Sequence, residues 1–128
     1  MNKFIKTVPL SSVNYEFLRS LNGLLGLTDR EIDLLSIFLD LENRDSKAKG
    51  QRKSIDGTAN RKEIMRITTI TKDNLSRYIK RLKAKRIIVR DYKEDINVLN
   101  KAILPVIIGN KVVQITMILK VKEDEIQN

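Results

Sequence analysis

Residues 60–91, NRKEIMRITTITKDNLSRYIKRLKAKRIIVRD, limit the fold more tightly than any other stretch of the chain. Asn60 is followed three residues later by Glu63, the spacing of a capping box, and predicts a helix over about 61–68. Its apolar face is Ile64, Met65 and Ile67. Thr71 then caps a second helix, with Asp73 in the first turn, where the macrodipole favours a carboxylate. Leu75, Ile79 and Leu82 fall at i, i+4 and i+7, so they predict a buried stripe with Tyr78 at its edge. The opposite face carries Lys72, Asn74, Arg77, Lys80, Arg81 and Ala84. At Ile87 the helical period stops, and Ile87, Ile88 and Val89 read as a strand.

Two short helices, a tight turn, a basic second helix and a strand resemble a winged helix-turn-helix. The run R-K-E-I-(x)6-T-K-D-N-L-S-R-Y-I-K-R-L-K-A-K-R-I-I-V is similar to the second and third helices and first wing strand of MarR-like regulators and of phage and plasmid replication initiators. The similarity covers roughly a quarter of the chain, and over half with the flanking elements. Many members of these families have glycine in the turn, where this chain has Thr68-Thr69-Ile70-Thr71. A β-branched residue is costly at positive φ, so the turn is expected to use a different geometry. The fold class expected is α+β. A three-helix core with a β-wing spans 27–99 of a single domain, with an N-terminal helix before it and a C-terminal β-hairpin after it.

The net charge of +9 is unevenly placed. Residues 1–43 carry −2, residues 44–60 carry +3, residues 61–91 carry +8 and residues 92–128 are neutral. A surplus concentrated on one segment is the electrostatic footprint of a nucleic-acid binder. A lysine-rich composition alone explains many lysines but not their concentration.

Before that segment, Ser11 or Ser12 caps a helix striped by Val13, Phe17, Leu18, Leu21 and Leu25, with Gly23 and Gly26 marking its end. Thr28 and Glu31 form a second capping box, with Leu27 and Ile32 placed as a hydrophobic staple. Ile32, Leu35, Phe38 and Leu39 are the buried face of a helix to about Glu42, the first of the core three. Residues 43–58, NRDSKAKGQRKSIDGT, have almost no apolar content and read as a long, flexible basic loop. Within it Lys47, Lys49, Arg52 and Lys53 either track a phosphate backbone or belong to a solvated loop that orders only on a partner.

After the second basic helix, Tyr92, Lys93, Glu94 and Asp95 form a polar tip, and Ile96 to Leu99 return as a strand, which is the size of a wing. An extra hairpin spans 103–121 around Gly109-Asn110, a favourable two-residue turn. In it Val113, Ile115, Met117, Leu119 and Val121 alternate with a more polar set. It is expected to pack on the N-terminal helix or to mediate assembly through an exposed edge.

Several function classes lose their chemistry. The chain has no cysteine and no histidine, which removes thiolates, disulfides, the commonest general base and the usual transition-metal ligands. No phosphate-cradling glycine motif is present. The carboxylates are scattered among lysines and arginines rather than grouped for two-metal catalysis. There is no signal-peptide layout, and the longest apolar run is too short to span a bilayer. A non-enzymatic cytoplasmic protein without cofactor, metal or membrane association is expected.

What the resemblance implies is a transcription regulator or replication accessory that binds double-stranded DNA through helix 71–85. Asn74 and Arg77 have the side chains for adenine and guanine edges. Thr71, Lys72, Lys80, Arg81 and Lys83 suit phosphates, and Arg90 and Lys93 on the wing suit an adjacent groove or phosphate. The alternative is a phage virion structural or adaptor protein that uses the same fold for assembly, as a homo-oligomer or with a protein partner held by the C-terminal hairpin.

Overall fold

In the computed structural model, residues 3–47, 52–105, 107–108 and 112–124 are described. Among them the chain is α+β, with four α-helices, a small antiparallel two-stranded sheet and a second antiparallel pair of two-residue strands. The helices are α1 (Val13–Leu25), α2 (Asp29–Lys47), α3 (Thr58–Thr68) and α4 (Lys72–Ala84). The sheet pairs β1 (Ile88–Asp91) with β2 (Ile96–Leu99), Ile88 opposite Leu99 and Asp91 opposite Ile96.

Helix α2 is the central element. It lies against α1, α3 and β2. That explains why Leu34 and Leu41 are buried as well as the expected Ile32, Leu35, Phe38 and Leu39: a helix covered on several sides needs more than one apolar stripe. Its start follows the capping box. The Thr28 amide donates to Glu31 Oε1 at 3.1 Å, and the Glu31 amide to Thr28 Oγ1 at 3.2 Å. Leu27 and Ile32 are both buried, as the staple requires. Helix α1 ends at Gly26, which takes φ 63°, a conformation in which a Cβ is strained. Gly23, read as part of that ending, lies inside the helix. A short 3-10 turn, Leu10–Ser12, leads into α1, and the Ser12 side chain makes no cap; its hydroxyl donates to the Pro9 carbonyl.

Two expectations around α3 fail together. The helix begins at Thr58 with Gly57 as its N-cap residue, and Asn60 is not a cap. Asn60 is buried inside the first turn, its Nδ2 donating to the Ile55 carbonyl at 3.0 Å while its Oδ1 accepts from Arg44. The long loop is also shorter than its composition implies. Helix α2 runs on to Lys47, and residues 54–57 are part of the packed structure. Ile55 is fully buried and its amide donates to the Asn97 carbonyl on β2 at 2.8 Å. Asp56 is buried beside it. One isoleucine in a polar run carries no period, so only the assembled core reveals its place.

The turn between α3 and α4 needs positive φ after all. Thr69 adopts φ 58° and ψ 14°, and its amide closes α3 onto the Met65 carbonyl at 2.9 Å. The expected change of geometry does not occur. The chain instead accepts a left-handed threonine, at a cost of about 1–2 kcal/mol. Thr71 caps α4 as expected, accepting from the Asn74 amide at 3.3 Å, and Leu75, Ile79 and Leu82 are buried.

At the other end of α4, Arg86 takes φ 60°. The Ile87 amide returns to the Leu82 carbonyl and the Arg86 amide to Lys83, forming a Schellman ending. That reversal buries Ile87 and Ile88 and launches β1. The tip from Tyr92 to Asp95 is closed by Asp91 Oδ1, which accepts from the amides of Lys93 and Glu94.

The C-terminal hairpin is much smaller than expected. Strands β3 (Ile107–Ile108) and β4 (Val112–Val113) pair over two residues each, and no strand continues through 114–121. Its turn, Gly109-Asn110, lies outside the described residues.

Candidate nucleic-acid interface

The site is built by the turn at Thr69 and the exposed face of α4. The left-handed turn sets α4 beside the first turn of α2. Between them lies a recess of about 430 Å³, lined by Arg30, by Thr68, Thr69, Ile70 and Thr71 of the turn, and by Asn74, Arg77, Tyr78 and Arg81 of α4. Three arginines and no carboxylate face it. The Arg81 guanidinium stacks over the Tyr78 ring, 5.4 Å from its centroid. Helix α4 starts at this recess, so its unbonded amides and dipole add positive potential.

The basic residues fall into two groups. Lys72, Arg77, Lys80 and Arg81 are exposed and have no ion pair among the described residues. Towards the C-terminal end of α4 the lysines are occupied. Lys83 Nζ lies 3.0 Å from Asp56 Oδ2. Lys85 Nζ lies 3.2 Å from Glu31 Oε1 and donates to the Gly26 carbonyl at 2.9 Å. Arg61 joins the first of these clusters, donating to the Asp56 carbonyl at 2.6 Å and to Ser76 on α4 at 3.1 Å.

Both central carboxylates are held ionised. Burial pushes Glu31 up, but hydrogen bonds from Thr28 and Lys85 outweigh it and keep its pKa below the ordinary value. Burial also pushes Asp56 up, and Lys83 with the Asn97 amide group, 3.0 Å away, brings it below the ordinary value. Glu31 offsets the charge of Lys85, and Asp56 offsets one charge between Lys83 at 3.0 Å and Arg61 at 3.9 Å. They leave the charge of Lys72, Arg77, Lys80 and Arg81 facing outward.

The other expected site residues divide similarly. Thr71 and Asn74 stand at the recess, although the Thr71 hydroxyl already serves as the cap of α4. Arg90 is tied across the β1–β2 hairpin to Asp95 and to Asn97 Oδ1. Lys93 is exposed at the hairpin tip. Arg52 is paired with Glu42 at 2.6 Å, and Lys53 is exposed. The Lys47 side chain and Lys49 lie outside the described residues. Arg30 escaped the sequence reading. It sits between Asp29 and Glu31 in a helix start explained by capping, and nothing local marks it as a neighbour of α4.

Among the described residues no group of histidines, cysteines or carboxylates is placed to hold a metal, and no helix is long and apolar enough to cross a membrane. Comparison with protein-family models, with curated proteins and with solved structures finds no match to this chain.

Proposed function

We propose that this chain is a winged helix-turn-helix DNA-binding protein of the cytoplasm, a regulator or replication accessory that reads duplex DNA with α4. The observation that carries the reading is the split among its cations: Lys83 and Lys85 are paired with buried carboxylates, whereas Lys72, Arg77, Lys80 and Arg81 make no ion pair among the described residues. A surface that only needed solubility has no reason to pair one set and expose the other around an arginine-lined recess.

In this reading Asn74 and Arg77 approach base edges. Thr71, Lys72, Lys80 and Arg81 hold phosphates, with Arg30 supplying a further cation beside them. The β1–β2 hairpin serves as the wing, and Lys93 at its tip is its free charge.

The deciding experiment is a salt titration of binding to a preferred and a scrambled duplex. Arg77→Ala weakens the preferred site by about 1–3 kcal/mol and relaxes specificity there. Lys80→Ala weakens both duplexes alike and lowers the salt slope by roughly one. Neither touches the core, so thermal stability changes little. A parent chain that binds no duplex even at low salt overturns the reading.

A second reading, a virion structural or adaptor protein, is favoured by one observation: Phe4, Ile5, Ile118, Leu119 and Val121 are apolar and uncovered. It takes over if DNA binding fails.

A further inference from the structure

Residues 114–124 have no regular structure and are exposed, yet Ile115, Met117, Ile118, Leu119 and Val121 are apolar. Leu119 is 73% exposed and Val121 94%. The segment continues directly from β4, which has a neighbour on one edge only among the described residues, with Ile107 opposite Val113 and Ile108 opposite Val112. A free strand edge followed by an alternating apolar run is a template for another strand.

We propose that this segment pairs antiparallel with the same segment of a second copy of the chain, in the register centred on Met117. The sequence is self-complementary about that residue. Val113 then faces Val121, Ile115 faces Leu119, and Met117 faces its own counterpart, all on one side of the strand. On the other side Thr116 faces Ile118, Gln114 faces Lys120 and Val112 faces Lys122, so no like charges meet and the one apolar–lysine pair lies at the end of the segment. The set is bounded in sequence by Lys111 at one end and Glu123 at the other, which gives each end of the paired segment opposite charges.

Neighbouring registers lose this match. Sliding by one residue sets Val113 against Lys120 or Lys122; sliding by two sets Val113 against Glu123 or Val121 against Lys111. Val113 already packs against the core cluster, so the register carries the partner's Val121 to the margin of an existing apolar surface. The pairing stands independently of DNA binding, though a two-fold pair presents two copies of α4, the arrangement that matches a palindromic site.

The chain contains no cysteine, so single cysteines report the register directly in the full-length protein. Met117→Cys forms a disulfide-linked dimer under mild oxidation. Val121→Cys does not, because its counterpart lies eight positions away along the paired strands, roughly 27 Å. By sedimentation equilibrium the parent dimerises reversibly, Leu119→Asp is monomeric with unchanged helix content, and Glu123→Lys associates roughly tenfold more weakly. A parent that stays monomeric at every concentration overturns the proposal, even if its segment proves protected from hydrogen exchange by folding back on its own body. Equal cross-linking of Met117→Cys and Val121→Cys overturns the register, and a Leu119→Asp dimer overturns the interface.

Discussion

Two residues hold α4 in place by adopting a backbone conformation that their side chains disfavour. Thr69 and Arg86 take φ near 60°, one before the helix and one after it. Left-handed backbone costs an L-residue about 1–2 kcal/mol, and glycine loses part of that advantage through greater freedom in the unfolded chain. Thr69→Gly and Arg86→Gly are therefore each expected to raise stability by about 0.5–1 kcal/mol, read as a higher urea midpoint at unchanged slope. The two sites lie at opposite ends of α4, so the double variant should show nearly the sum. Destabilisation by Thr69→Gly would mean that the threonine hydroxyl, which donates to the Thr68 carbonyl at 2.6 Å, outweighs the strain.

At the scale of elements, the segment before α3 separates local pattern from tertiary fact. Residues 43–58 look uniformly polar, and a mobile loop is what composition predicts. Ile55 nonetheless seats in the core and bonds β2 through its amide, while Asn60 bonds back to the Ile55 carbonyl. Ile55→Ala should cost about 2–5 kcal/mol, the range for a buried large-to-small change, measured by chemical unfolding. Hydrogen exchange should find the Ile55 amide protected. If Ile55 exchanges as fast as an unstructured peptide, the segment is the loop its composition suggests. The C-terminal strands show the converse: alternation promises a long strand, but a strand needs a partner for its amides and carbonyls, and among the described residues only Val112 and Val113 of this segment have a paired strand beside them.

Across the whole molecule, two carboxylates tie distant parts of the chain together. Glu31 joins the start of α2 to Lys85 at the end of α4, and that same ammonium reaches the Gly26 carbonyl at the end of α1. Asp56 joins Lys83 of α4 to Asn97 of β2. Both have pKa values lowered by folding from ordinary values of 4.5 and 3.8. The unfolded chain therefore takes up protons first as the pH falls. The stabilisation is complete above the ordinary carboxylate values and is lost as the pH drops through the folded ones. Glu31→Gln and Asp56→Asn should each cost about 1–3 kcal/mol near neutral pH. The deficit should shrink as the pH is lowered below the ordinary values, seen in urea unfolding across a pH series. A deficit independent of pH would assign the loss to packing rather than charge.

What the amino-acid sequence determined alone was set by short-range forces. The Thr28–Glu31 box, the Thr71 cap, the Leu75, Ile79 and Leu82 stripe, the Gly26 ending and the hairpin from Ile88 to Leu99 all rest on contacts between residues a few positions apart, so their spacing reveals them. The concentration of cations on residues 61–91 was equally legible. Tertiary structure decided which of those cations are spent. Lys83 and Lys85 look identical in sequence to Lys72 and Lys80, and their carboxylates come from residues 27 and 54 positions away. It also brought Arg30 to the recess and Ile55 to the core. A charge is neutralised and an isolated side chain is buried only when the whole chain brings a partner within reach, and local spacing carries no record of that meeting.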